Sequence, residues 1–181
     1  MNGQDTIDEI MLIFRNNGQE SYGEDITQLE HAVQVGLLAI NAGCDDETVV
    51  AAFLHDIGHL CAEDDMNGYG ARAHHESGAL WLRERGFSER VCRLIEGHVL
   101  AKRYLTAVDE EYHQQLSEAS KASLGFQGGP MNEEEVKAFA NDSLLEEHLQ
   151  LRRWDEEGKD NSLDLTNLEQ FRPFLERHLS A

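Results

Sequence analysis

The sequence predicts an all-α fold. Apolar residues recur at helical spacing, the runs begin at capping residues and stop at glycines, and only 2 prolines interrupt 181 residues. No stretch alternates apolar and polar residues with the period of a strand. No repeat or long linker divides the chain, so residues 1–181 are read as one domain of ordinary size.

The first helix is marked by Ile7, Ile10, Met11 and Phe14, and Asn16-Asn17-Gly18 stops it. Residues 18–25 read as a loop. Thr27-Gln28-Leu29-Glu30 has the form of a capping box, in which Thr27 and Glu30 satisfy free amides at the start of a second helix. That helix carries Leu29, Val33, Leu37 and Ile40 and ends at Gly43. Asp45 or Asp46 caps a third helix, which closes in His55-Asp56 and is broken by Gly58. Residues 61–72 are polar and contain glycines, as befits a loop at the mouth of a site. A fourth helix spans His74 to Arg85 and stops at Gly86. Ser88 caps a fifth, which runs through Val91, Leu94 and Ile95 to His98. Residues 109–123 read as one helix, broken by the segment from Gly125 to Pro130. Asn132 caps the next, with Glu133 to Glu135 at the end that favours negative charge. Leu144, Leu145, His148 and Leu151 share a face that leads to Trp154-Asp155. Glu156 to Asn161 is a polar break, and a last helix occupies Thr166 to His178.

Thirty-five acids against 15 bases give a formal charge of −20. That balance argues against a nucleic-acid backbone or an anionic membrane as partner. The three cysteines, Cys44, Cys61 and Cys92, form no C-x-x-C pair, so neither a disulfide framework nor a zinc knuckle is expected. The N-terminus lacks a basic region followed by an apolar one, and no apolar run approaches a membrane span. A reducing cytoplasm is the expected compartment.

His55-Asp56 stands out because it closes the small and apolar run from Val49 to Leu54. Buried charges cost several kcal/mol unless they are paired or hold a metal. His31 lies upstream, His74 and His98 downstream, and Asp155 near the far end, each at or near a helix end. Ends of packed helices can converge on one cavity, and four imidazoles with two carboxylates can hold two metals if Asp56 bridges them. Such donors suit iron, manganese, zinc or cobalt.

The ordered pattern His31, His55-Asp56, His74, His98, Asp155 resembles the HD-domain superfamily, in the version whose extra histidines hold two metals. The resemblance implies a helical HD bundle with the di-metal site between helix ends. It assigns His31, His55 and Asp155 to one metal, His74 and His98 to the other, and Asp56 to both. Gly78-Ala79 selects His74 over His75, because the ligand stands four residues before the glycine in that family.

Within the superfamily the chain looks like the mixed-valent di-iron oxygenases that cleave phosphonates. Tyr22-Gly23-Glu24 ahead of His31, His59 after His55, and Lys102 after His98 carry this likeness. It implies two iron ions, Fe(II)/Fe(III), with O2 as co-substrate. The implied substrate is a 1-hydroxy-2-(amino or trimethylammonio)ethylphosphonate, giving phosphate and glycine or glycine betaine. Tyr22 would cover an open iron position until substrate arrives, and Glu24 would face the amino end. His59 and Lys102 would meet the phosphonate, with Ser120, Ser123 and Gln127 as further donors. Arg152 would support Asp155 or the anion. His113, His148 and His178 have no partner pattern and read as structural or exposed. The alternative is a metal-dependent HD phosphohydrolase acting on a nucleotide or other phosphate ester. Either way the expected partner is a small molecule, with no nucleic acid or membrane, and the protein a monomer or homodimer.

Overall fold

Asn2 opens the chain's first helix with a capping box: its side chain accepts from the amide of Asp5, whose carboxylate reaches back to the Asn2 amide. The computed structural model describes residues 2–61, 71 and 73–180, and no strand occurs among them. Helix α1 (Gly3–Asn17) is followed by α2 (Gln28–Asn41), opened by the expected Thr27–Glu30 box. Asp45 rather than Asp46 caps α3 (Asp46–Leu54), accepting from the Thr48 amide at 2.9 Å. His55 is the C-cap of α3, so the chain turns at His55-Asp56 and points both side chains off a helix end.

Gly58 does not break the chain as expected. It lies inside a further short helix, α4 (Ile57–Cys61). A Cβ at Gly58 would meet the carbonyl oxygen of His74 at 1.9 Å and the amide nitrogen of Gly78 at 2.9 Å. The glycine lets α4 lie directly against α5 (His74–Arg83), which is why His59 stacks on His74 with ring centroids 3.8 Å apart. The loop expected over 61–72 falls, at 62–70 and 72, outside the described residues.

Helix α6 (Glu89–Val108) runs ten residues beyond the expected end at His98. The helix expected over 109–123 is two: α7 (Glu110–Gln115) and α8 (Glu118–Phe126). Ser117 divides them by capping α8, accepting from the Ser120 amide at 3.0 Å. Helix α8 also continues through Gly125. Then follow α9 (Glu133–Phe139), capped by Asn132, and α10 (Leu145–Glu157), which reaches into the expected polar break. The last segment begins as a 3₁₀ turn (Leu168–Phe171) and becomes α11 (Arg172–Leu179). Pro173 sits in the first turn of α11, where its missing N–H costs nothing.

The core forms where α2, α3, α5, α6 and α10 pack together, with α1 and α11 closing one side. Phe53 lies between Phe14 and Phe171, with ring centroids 4.9 and 4.2 Å away. Truncating a buried phenylalanine such as Phe53 typically costs about 3–5 kcal/mol. A second apolar group, Ala101, Met131, Phe139 and Leu149, ties α9 to α6 and α10. The end of α3, the starts of α2 and α5, the middle of α6 and the last turn of α10 are thereby held around one point.

Candidate metal centre

Four imidazoles meet at that point, each oriented by backbone. Nδ1 of His55, His74 and His98 donates to the carbonyl three residues earlier, that of Ala52 at 2.9 Å, Ala71 at 3.0 Å and Ile95 at 2.6 Å. Nδ1 of His31 donates to the Gly158 carbonyl at 2.8 Å, at the end of α10. A carbonyl can only accept, so each ring carries a proton on Nδ1 and turns Nε2 inward, where its lone pair is available to a cation.

The Nε2 atoms stand in two pairs, His31 and His55 at 3.2 Å, His74 and His98 at 3.0 Å. Asp155 Oδ1 lies 3.2 Å from His31 Nε2 and 3.7 Å from His55 Nε2. Asp56 turns Oδ1 to His74 and His98, at 3.3 and 3.4 Å, and Oδ2 to His55 and His31, at 3.5 and 3.7 Å. The donors of His31, His55 and Asp155 lie within 4.8 Å of one another, as do those of Asp56, His74 and His98. Facing lone pairs at this spacing repel unless a cation lies between them, so the donor set fits a metal ion in each group. His75 contributes to neither group. It is largely covered, and its Nδ1 has no hydrogen-bond partner.

The carboxylates make the same demand for positive charge, which a metal ion or a proton on His55 can meet. Burial works against an imidazolium at His55, yet Asp56 and Asp155 outweigh it and lift its pKa to about 9. Burial also works against the carboxylates, but the charge of His55 holds Asp56 well below the usual range and that of Arg152 does so for Asp155. Burial pushes His74 well below its ordinary value and lowers His98.

Both groups open onto a cavity of about 70 Å³. Every candidate residue named from the sequence borders it except His55, which is fully buried behind. Lys102 is buried and donates to Ser123 Oγ at 2.9 Å. His59 Nδ1 accepts from the Ala71 amide at 2.8 Å, which leaves Nε2 as a donor. Burial pushes His59 down to about 4, so the ring is neutral at pH 7. Tyr22 occupies the left-handed region at φ 42°, its ring tilts over His59 at 5.0 Å, and its hydroxyl donates to the His59 carbonyl at 3.3 Å. Gln127 Oε1 is buried without a hydrogen-bond partner. Glu24, expected to face a substrate amine, is ion-paired to Lys159 at 2.8 Å.

Arg152 is buried at the back of the cavity. It pairs with Asp155 and Glu156, donates from Nε to the Tyr112 hydroxyl at 2.7 Å, and reaches Ser120 Oγ at 3.5 Å. Replacing it with methionine takes from Asp155 and Glu156 the buried guanidinium that both pair with. Arg152→Met is expected to cost about 3–5 kcal/mol, which a thermal melt reads as a drop of roughly 10 °C for a chain of this size. A melt within about 2 °C of the parent would clear Arg152 of this role. Lys159, Tyr112 and Glu156 escaped the sequence reading. Glu156 and Lys159 lie in the segment whose composition reads as a polar break, one and four residues after Asp155.

The HD domain family model matches residues 29–145 of the chain. A [1-hydroxy-2-(trimethylamino)ethyl]phosphonate dioxygenase (glycine-betaine-forming) of Leisingera caerulea is 38% identical over 181 residues, 98% of this chain and 92% of that protein. A hydroxymethylphosphonate dioxygenase of Gimesia maris is 35% identical over 174 residues, 94% of this chain and 86% of that protein. Protein L432 of Acanthamoeba polyphaga mimivirus, which carries no named activity, is 35% identical and covers 96% of this chain. The chain belongs to the HD-domain family, and its helical bundle is an HD fold. With dioxygenases aligned over nearly its whole length, it is an HD-domain oxygenase. No helix among the described residues is long and apolar enough to cross a membrane.

Proposed function

We propose that the chain catalyses oxygen-dependent cleavage of the carbon–phosphorus bond of a small 1-hydroxy aminophosphonate. The observation that carries this reading is one cavity shared by two His/Asp donor groups and by a buried lysine bonded to a serine hydroxyl. The named activities of the Leisingera and Gimesia relatives support the reaction type. His31, His55 and Asp155 would hold one metal ion, His74 and His98 the other, with Asp56 between them. Iron suits these donors and, when bound, supplies the redox chemistry that dioxygen requires.

The protein's own part is to bind, orient and exclude water. Lys102, Ser123 and the neutral His59 donate to the phosphonate oxygens. Ser120 and Gln127 complete that wall, and Arg152 holds Asp155 in place. Asp56 keeps the two donor groups in register. Glu24 faces the amino end of the substrate. In the net reaction the C–P bond breaks, the carbon leaves as the carboxylate of glycine or glycine betaine, and the phosphorus leaves as phosphate. The two atoms of O2 account for the two oxygens gained, and one proton is released.

The test is phosphate release by iron-loaded protein from 2-amino-1-hydroxyethylphosphonate and its trimethylammonium analogue, in air and under nitrogen. Release from either that stops under nitrogen supports the reading. No release from both, with turnover of phosphate esters, replaces it with the phosphohydrolase.

Lys102 gives this reading a pH signature. Burial pushes its ammonium down to about 7, the charge of Arg152 adds to that, and Asp155 pulls the other way. A lysine with a lowered pKa is charged below that value and neutral above it. kcat/KM for the phosphonate is therefore expected to fall as pH rises through about 7, while kcat, measured with the anion already bound, keeps no such limb. Lys102→Arg flattens the fall, because guanidinium stays charged. An unchanged pH profile in that variant would remove Lys102 from anion binding.

A further inference from the structure

Glu24 brings a negative charge to the cavity wall but does not leave it free. Its Oε1 accepts from Lys159 Nζ at 2.8 Å and from Ser117 Oγ at 2.8 Å. Lys159 also donates to Ser120 Oγ at 3.1 Å and stands 3.8 Å from Glu156 Oε2. The Glu24 and Lys159 side chains are only 24% and 17% exposed, so this pair belongs to the wall of the cavity rather than to bulk water.

The group seated on Glu24 is a primary alkylammonium, and the bonds it makes are N–H donations. A substrate with a primary ammonium can replace Lys159 there in kind. A trimethylammonium group has no N–H to offer, and displacing Lys159 with it would leave a mostly covered carboxylate short of a donor. Quaternary ammonium is instead recognised by the faces of several aromatic rings. Among the described residues that line the cavity, Tyr22 is the one aromatic besides the imidazoles.

We propose that Lys159 is a tethered counter-ion that keeps the Glu24 recess set for a primary ammonium, and so a specificity-determining residue against quaternary amines. This rests on the function proposed above, with the amino end of the substrate at Glu24. On binding, the substrate ammonium takes the place of Nζ on Oε1, while Lys159 keeps its bond to Ser120. A trimethylammonium head is bulkier than the Nζ group it would replace, so seating it also costs Lys159 its bond to Ser120, a cost the primary ammonium is spared.

The experiment is calorimetric binding of 2-amino-1-hydroxyethylphosphonate and its trimethylammonium analogue to iron-loaded protein under nitrogen, for the parent and for Lys159→Met. The parent is expected to bind the primary amine at least about tenfold more tightly, because only that ligand satisfies the carboxylate. Losing the Lys159–Glu24 bond costs both ligands alike and cancels from their difference, whereas the Ser120 bond is lost only to the bulkier head; in Lys159→Met neither bond exists, so the preference is expected to narrow by about threefold. Equal or tighter binding of the trimethylammonium compound by the parent overturns the proposal and leaves the oxygenase reading standing. An undiminished preference in Lys159→Met overturns the role of Lys159 alone. Binding of neither compound removes the functional reading and this inference with it.

Discussion

Asp56→Ala is expected to lower the oxygen-dependent activity by at least about a thousandfold, roughly 4 kcal/mol of barrier. Among the described residues, Asp56 is the one carboxylate with an oxygen turned to each histidine pair, at 3.3–3.4 Å on one side and 3.5–3.7 Å on the other. Its removal leaves His74 and His98 with no carboxylate in their group and takes a negative charge from both groups at once. Two neutral imidazoles are a weak metal site on their own. Metal analysis of the purified variant should therefore find fewer than the two ions per chain expected of the parent. Asp56→Asn keeps the shape and loses the charge, so it separates electrostatics from packing. Full activity with a full metal complement in Asp56→Ala would end the two-metal account.

Gly58→Ala should act on the same centre through the backbone. The added methyl would sit 1.9 Å from the His74 carbonyl, and that clash involves backbone on both sides, so no side-chain rotation relieves it. Helix α5 has to move off α4, and His74 moves with it, away from Asp56. We expect a loss of about 3 kcal/mol or more, a fall in melting temperature of roughly 6–12 °C, and a drop in bound metal. Gly125→Ala is the control: an added methyl there meets nothing within 4 Å, and the substitution should be neutral or stabilising by about 0.5–1 kcal/mol. If Gly58→Ala melts with the parent and retains its metal, the close packing of α4 on α5 does not position His74.

Gly58 also shows what the sequence could and could not disclose. A glycine after a helix reads as a stop, and nothing local distinguishes that from a glycine required by a neighbour that arrives sixteen residues later. Ser117 was hidden for a related reason. The apolar period runs past it, and only its cap on the Ser120 amide divides α7 from α8. By contrast, the six residues of the two donor groups were legible as polar groups among apolar neighbours, where an unpaired polar group is costly; five of them sit at or near a helix end, and His98 sits midway along α6. Glu24 was legible as a residue but not in its state. Its partner Lys159 lies 135 positions away, in a segment whose polar composition reads as solvated loop.

The two halves of the site are anchored differently, and this bears on how such a protein diverges. Three of the four imidazoles hang from the carbonyl three residues earlier in their own chain segment, and the fourth from Gly158. Every residue type has a carbonyl, so substitutions at Ala52, Ala71 or Ile95 leave those anchors in place. The recess around Glu24 is instead held by side chain on side chain, Ser117, Glu24, Lys159 and Ser120, and one codon change at any of them rewrites it. Under the proposed function, the reaction centre is thus buffered against drift, while the choice of substrate is left open to revision by single substitutions.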